Sequence, residues 1–438
     1  MRIPIKPVIL IFYAIMILAA CLRAEAFIDD FSAAPQTGVA EDMTAAAPEL
    51  APPIQQKIEE EFPGGGQAEE NTASPRLLFD IMEAKREAFG QILDDPKRYE
   101  VQILLTKIDR DPSGQLSFID YEYGVDAKKY FYPASVIKLA IAALTLQKIN
   151  TLEGAARNCK LNTAQYQSST IEVSIKDMIV DSDNDSYNKL YDFLGQEYIN
   201  ETLHSMGYYD VQVVRRFNSP TSVAADRVNY AWELRDSGGA FICKQPSLTN
   251  KNIYSLKDRK DMTGLVRGKA YYTSGFRVAG PKEFYDYNYM SIDVMQRILK
   301  AIVFPQSVEE KARFAIFEED REFLLKCMLG ETTENKYFIH GGTGQAYPYI
   351  EIYNKVGMAY GNLIDNAYIR DAKNNIEFML TAVIYTNYDE VLGDDDYEYD
   401  EIGKPFLKEL GLAVYEYFLE EKYAGKKQLL QPRETTDP

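Results

Sequence analysis

Tyr130-Phe131-Tyr132-Pro133-Ala134-Ser135-Val136-Ile137-Lys138, running on through LAIAALTLQKIN to Asn150, decides how this chain folds. Proline is at home in the first turn of a helix, where its missing N–H costs nothing. The run after Pro133 is apolar on nearly every face, so it predicts a long helix buried on all sides. Within it, Ser135 and Lys138 stand three residues apart and share a face. A serine at a helix N-terminus sits in a positive field with a backbone N–H free to bind an oxyanion. A lysine that is partly buried sheds its proton and becomes a base toward a nearby hydroxyl. The S-x-x-K pattern alone is weak, because Ser186-Tyr187-Asn188-Lys189 also fits it. Ser135 is set apart by Tyr132-Pro133-Ala134 before it and by the apolar helix after it.

Working outward, Leu77 to Leu93 carries apolar residues at helical spacing, and Val101–Leu105 and Leu116–Tyr123 read as strands. The turn between the strands is Asp111-Pro112-Ser113-Gly114, with Pro second and Gly fourth. Downstream, helices are expected from Asn184 to Gly195, Glu197 to Gly207, Ser291 to Ile302 and Val308 to Leu329. The Gly- and Tyr-rich stretch Gly238–Asn288 gives no regular pattern. Strands follow at Tyr349–Asn354, Ala367–Asp371 and Ile376–Asn387, then an acidic loop Gly393–Asp400 and an amphipathic helix Pro405–Leu419. Helices and strands at both ends with helices between them predict a two-lobe fold of mixed α/β (α+β) class. An antiparallel sheet flanked by helices is assembled from both chain ends, beside a mainly helical lobe. The cleft between the lobes is the natural ligand site.

Composition narrows the choices. The 438 residues hold 46% apolar side chains, enough for a core, and a net charge of −18 that disfavours nucleic acid as partner. Two histidines, His204 and His340, exclude a three-histidine zinc site and leave little for a Ser-His-Asp triad. No cofactor or metal is implied. Four cysteines contain no CxxC pair, and Cys159, Cys243 and Cys327 read as buried small side chains. Arg2 and Lys6 precede the apolar run Val8–Ala20, the layout of an export signal and too short to span a membrane comfortably. It ends in Leu18-Ala19-Ala20-Cys21, which resembles a lipobox, so Cys21 is the expected lipidation site. Cleavage after Ala24-Glu25-Ala26 is the rival. The expected division is a signal peptide over 1–21, a Pro/Ala/Gly/Glu-rich disordered tether over 22–75, the folded domain over 76–425 and a flexible tail over 426–438. The location expected is the periplasm or cell envelope, with membrane contact only through the lipid, and a monomer.

Two further motifs join the first. Ser182-Asp183-Asn184 suits a helix N-cap and also a polar loop beside a site. Lys355-Val356-Gly357 precedes Met358 and Tyr360-Gly361 at a strand end. Taken in this order, S-x-x-K, S-D-N and K-x-G resemble the class A β-lactamase-like serine hydrolases of the penicilloyl-serine transferase and DD-peptidase superfamily. The order of elements from about Pro75 to Tyr423 is similar too. The resemblance implies a nucleophilic Ser135, its activator Lys138, Ser182 as proton relay and Asn184 as holder of the substrate amide. It also implies that Lys355, next to Gly357, supplies positive potential for Ser182 and for a substrate carboxylate, and that Ser135 and Met358 N–H groups form the oxyanion hole. The substrate implied is a β-lactam or a peptidoglycan-type peptide.

Two positions depart from that pattern. Val356 stands where the family has Thr or Ser, so one hydroxyl that meets the substrate carboxylate in the family is missing. Arg215-Arg216-Phe217-Asn218 falls where the family has an Arg-aromatic-Glu run, and Asn218, 36 residues after Ser182, cannot act as a carboxylate base. Glu233 is the next candidate carboxylate. The interval from Asn218 to Lys355 is longer than usual, which predicts an insertion over part of the cleft. His340-Gly341-Gly342-Thr343-Gly344 reads as a flexible turn. Three readings stay open: a hydrolase that turns β-lactams over, a DD-peptidase-like enzyme with slow deacylation, and a non-catalytic envelope binder.

Overall fold

The structure is a computed structural model that describes residues 76–218, 222–331, 334–342 and 349–430. The expected leader with Cys21, the tether and residues 431–438 of the tail lie outside the described residues.

Helices α1 (Leu77–Ala84) and α2 (Arg86–Asp94) replace the single helix expected over 77–93, with a break at Lys85. Nothing in Glu83-Ala84-Lys85-Arg86 marks the break, since all four are good helix formers. Strands β1 (Gln102–Arg110) and β2 (Leu116–Tyr123) form the expected hairpin. In its turn, Asp111 accepts from the N–H groups of Ser113 at 2.8 Å and Gln115 at 2.9 Å, while Gly114 takes φ 88°. The next segment opens as a single 3₁₀ turn, Ala134–Ile137, before α3 (Lys138–Ile149). Ten of the twelve residues of α3 are buried, as its apolar run requires.

Helix α4 (Ile171–Val180) escaped the sequence pattern because its β-branched residues resemble a strand. Helices α5 (Asn184–Leu194) and α6 (Gln196–Ser205) fall where expected. The Gly- and Tyr-rich stretch is a set of short strands, among them the hairpin Ala270–Thr273 with Phe276–Ala279. Helix α7 (Ile292–Val303) is capped by Ser291, whose hydroxyl accepts from Val294 N–H at 3.3 Å. The helix expected from Val308 begins only as α8 (Glu318–Leu329), because Pro305–Ser307 and Glu310–Ala312 are isolated 3₁₀ turns.

Strands β3 (Ile350–Ala359), β4 (Asn362–Asp371) and β5 (Ile376–Tyr385) complete the large sheet. β3 runs five residues past its expected end and so contains Lys355, Val356, Gly357 and Met358 as strand residues. Helix α9 (Lys404–Leu430) extends beyond Leu419 and takes in the first residues expected of the tail.

The sheet order is β3-β4-β5-β1-β2, antiparallel throughout, so the expectation of a sheet built from both chain ends holds. Its two faces bury different cores. Ile103, Leu105, Leu380 and Ala382 pack with α1, α2 and α9, while Leu104, Met379 and Val383 pack with the helical lobe. The period of two along each strand produces this sorting. It also directs Val356 into the first core and leaves Lys355 and Gly357 toward the lobe that carries α3.

Candidate active site

Ser135 sits half-buried in the 3₁₀ turn that opens α3. The residue before it, Ala134, takes φ 45°, a left-handed conformation that alanine rarely adopts. Such strain persists only where surrounding structure over-determines it. The determinant is β3: a Cβ on Gly357 would lie 2.8 Å from Pro133 O and 3.2 Å from Ala134 Cβ. Glycine therefore lets the edge strand press directly on the serine turn. Lys355 Nζ donates to Val356 O at 3.1 Å, so the Val356 carbonyl faces away from β4. Backbone groups alternate along a strand, which directs Met358 N–H the same way, toward the Ser135 turn.

Lys138 is fully buried behind that turn. Its Nζ donates to Ser182 O at 2.6 Å and to Asn184 Oδ1 at 2.7 Å, with Ser182 Oγ at 3.4 Å. Lys355 Nζ donates to the same Ser182 Oγ at 3.0 Å. One hydroxyl thus joins two lysines. Burial, with the Lys355 charge second, holds the Lys138 amine down at about 6 against a weaker pull from Asp183. Burial also lowers Lys355 to about 7, with Asp365 opposing and Lys336 adding to the shift. Near neutral pH, Lys138 is therefore a free amine with a lone pair, the state a base needs. Ser182 itself takes φ 56°, and Asp183 accepts from Ser186 N–H at 2.6 Å to cap α5. Within this tripeptide Asp183 caps the helix, while Ser182 and Asn184 bond Lys138.

The segment after α6 forms the far wall. Asn188 brackets Phe217, donating to its carbonyl at 2.9 Å and accepting from its N–H at 2.8 Å. The Phe217 ring then lies 5.1 Å from Lys138 Nζ. Arg216 is buried and bonds Asp192 and Asp226, the latter at 3.2 Å, while Arg215 pairs with Asp226 at 2.5 Å. Asn218 follows with φ 50° and is exposed to the cleft.

The cleft encloses about 730 Å³. Of the residues singled out in the sequence, Ser135, Asn184, Asn218 and Met358 line it, while Lys138, Ser182, Lys355 and Gly357 stand behind that lining. Glu233 lies instead on the strand Trp232–Arg235 and pairs with Arg235, so it does not reach Ser135. The second S-x-x-K is structural: Lys189 is buried and donates to Gln167 O at 3.1 Å. Val356 is buried in the core beneath the sheet, and His340 is buried away from the cleft lining. The long interval between Asn218 and Lys355 contributes Tyr272, Thr273, Ser274, Lys282 and Tyr287 to the cleft lining. Sequence reasoning missed Tyr132, Tyr360 and Asp395, which complete the wall; scattered tyrosines carry no local signal of where they converge.

The sequence profile described as the Beta-lactamase enzyme family matches residues 114–418. No curated protein matches the chain. Among solved structures it is similar to the TLA-3 extended-spectrum β-lactamase, at 13% identity over 77% of this chain and 99% of that one, TM-score 0.46. It is similar also to a representative of class A β-lactamase from Bacteroides cellulosilyticus DSM 14838, at 12% identity over 80% and 100%, TM-score 0.47. A third is a β-lactamase from Chitinophaga pinensis DSM 2588, at 11% identity over 77% and 99%, TM-score 0.46.

Proposed function

Since the chain belongs to the β-lactamase enzyme family, matched from residue 114 to 418, we propose that this β-lactamase-like hydrolase opens β-lactams or a related amide through an acyl-Ser135 intermediate. The observation that carries the reading is the buried Lys138 amine, neutral near pH 7 and hydrogen-bonded to Ser182 and Asn184 beside the Ser135 turn. In the proposed acylation, Lys138 accepts the Ser135 hydroxyl proton as Oγ adds to the amide carbonyl. The oxyanion is held by the N–H groups of Ser135 and Met358. The proton on Lys138 passes through Ser182 Oγ to the leaving nitrogen, and the C–N bond breaks. Lys355, on the other side of Ser182, favours the electron-rich state of that hydroxyl during transfer. Asn184 lines the cleft and orients the amide side chain of the substrate.

Deacylation is where a second reading enters. Asp192 and Asp226 are committed to Arg215 and Arg216, Glu233 to Arg235, and Asn218 occupies the wall. This arrangement favours a long-lived acyl-enzyme, as in DD-peptidase-like enzymes, over rapid turnover. A non-catalytic binder is disfavoured by the retained Lys138–Ser182–Lys355 chain, which has a cost in burial and no evident use in binding alone. Placement in the cell envelope through lipidated Cys21, as a monomer, belongs to the same proposal.

Incubating wild type and Ser135→Ala with a chromogenic cephalosporin, with intact-mass measurement in parallel, separates the readings. Catalytic ring opening supports the hydrolase, and a stable adduct with little turnover supports the second reading. Neither turnover nor adduct refutes both.

A further inference from the structure

We infer that Tyr399 is a positioning residue for the oxyanion hole: its hydroxyl anchors the Tyr360-Gly361 turn and so sets where the Met358 N–H stands against Ser135. The inference rests on the reading of Ser135 as the acylated residue. Tyr399 opens a single π-helical turn, Tyr399–Gly403, immediately before α9. Its Oη accepts from Gly361 N–H at 2.9 Å. Gly361 is buried, and its carbonyl accepts from Thr386 N–H at 2.7 Å. Both backbone groups of this one residue are thus held from outside the β3–β4 hairpin.

The hairpin needs that hold. Ala359 pairs with Asn362, so Tyr360 and Gly361 form a two-residue turn, with φ 51° and 77°. A turn with positive φ at both central residues suits Asn-Gly, whereas a bulky first residue opposes it. Tyr360 adopts this conformation against its own preference, and such strain persists where the surroundings over-determine it. Its ring packs against Tyr132 at 5.1 Å and Phe284 at 5.4 Å, while Tyr399 and Thr386 fix the next residue.

The turn governs Met358 because β3 is the edge strand of the sheet. Opposed residues of an antiparallel ladder alternate between pairs that exchange backbone hydrogen bonds and pairs that do not. Met358 N–H points away from β4, so Met358 and its partner Leu363 belong to the second kind. The neighbouring turn therefore carries much of the constraint on that N–H. The π turn also presses on Leu363, whose Cδ2 a Cβ on Gly403 would meet at 2.7 Å. Deleting the Tyr399 hydroxyl leaves the buried Gly361 N–H without its acceptor, a defect relieved only if the turn moves.

The test compares wild type, Tyr399→Phe and Tyr415→Phe, each verified as folded by circular dichroism. Tyr415 lies on α9 and donates to Asp371 at 2.7 Å at the far end of β4, so its variant loses a comparable bond away from the cleft. Stopped-flow acylation by benzylpenicillin separates the limiting rate from the affinity of the complex before acylation. In Tyr399→Phe the limiting rate should fall about tenfold to a hundredfold, as for a group misplaced by up to about 1 Å, with affinity held within about twofold. Infrared spectra of the acyl-enzyme, made with benzylpenicillin carrying ¹³C at the lactam carbonyl, should show the ester band at higher frequency, because the oxyanion-hole donors pull less on that oxygen. Tyr415→Phe should keep the wild-type rate and band. A wild-type rate or an unmoved band in Tyr399→Phe overturns the inference, as does an equal rate loss in Tyr415→Phe. If wild type forms the acyl-Ser135 enzyme while Tyr399→Phe matches it, the inference alone fails. If wild type forms none, the reading of the site fails and takes the inference with it.

Discussion

Replacing Lys138 by methionine tests whether the lysine is a neutral amine, because the two residues fill similar space but only one titrates. In the fold Lys138 holds its proton only below about pH 6. In an unfolded chain it stays protonated up to about pH 10.4. Between these values unfolding takes up one proton at this site, so the stability of the wild type rises with pH by about 1.4 kcal/mol per unit. The depressed pKa thus lowers stability at low pH, and the deficit is relieved as pH climbs toward 10. Methionine removes that dependence. Going from pH 7 to pH 9, the stability of Lys138→Met relative to wild type should fall by about 3 kcal/mol. The difference at any single pH also contains the lost bonds to Ser182 O and Asn184 Oδ1, so the slope is the cleaner quantity. Urea unfolding of both proteins at pH 6, 7, 8 and 9 measures it. A difference that does not vary with pH means that Lys138 carries its charge in the fold, and the argument for it as a base collapses.

Gly357→Ala should drive β3 from the serine turn, since the new methyl meets Pro133 O, a backbone atom, at 2.8 Å. A stability loss of about 1–3 kcal/mol is expected from such overpacking. Acylation should slow by about 10²-fold from a shift of roughly 1 Å, and wild-type acylation rates in the variant would contradict the close approach. Arg216→Ala strands Asp192 in the interior and should cost about 3–5 kcal/mol in urea unfolding; a loss under 1 kcal/mol would show that the pair is not buried as described. Asn218→Glu should accelerate deacylation by up to about 10²–10⁴-fold if the cleft holds the new carboxylate near the acyl carbon. The pre-steady-state burst should shrink accordingly, and a wild type that turns over rapidly without any burst would remove Asn218 from that position.

The elements that could be read from the chain are those whose signal is local. The α3 run is apolar on nearly every face, Asp183 offers a capping side chain, and Asp111-Pro112-Ser113-Gly114 spells its own turn. Ser135, Lys138, Ser182 and Lys355 could be singled out because each lies in a short motif on or beside a recognisable element. Signals failed where tertiary contacts override local preference. The 3₁₀ opening at Ala134 packs against Gly357 from the far end of the chain. The strand end Lys355–Ala359 contains a charge and a glycine, and reads as strand only once β4 pairs with it. Phe217 is brought to Lys138 by Asn188, a residue distant in sequence, so no spacing announces it. Glu233 shows the opposite error, a carboxylate close in sequence that the fold places on another strand with Arg235.

The central claim is that Ser135 is the nucleophile, and locating a covalent adduct tests it most directly. Wild-type protein incubated with benzylpenicillin, digested and mapped by mass spectrometry should carry the penicilloyl mass on the peptide containing Ser135, with fragmentation placing it on that hydroxyl. Ser135→Ala, a change that removes one oxygen from a folded turn, should carry none. An adduct that persists in Ser135→Ala, or one that maps to another residue in the wild type, contradicts the account.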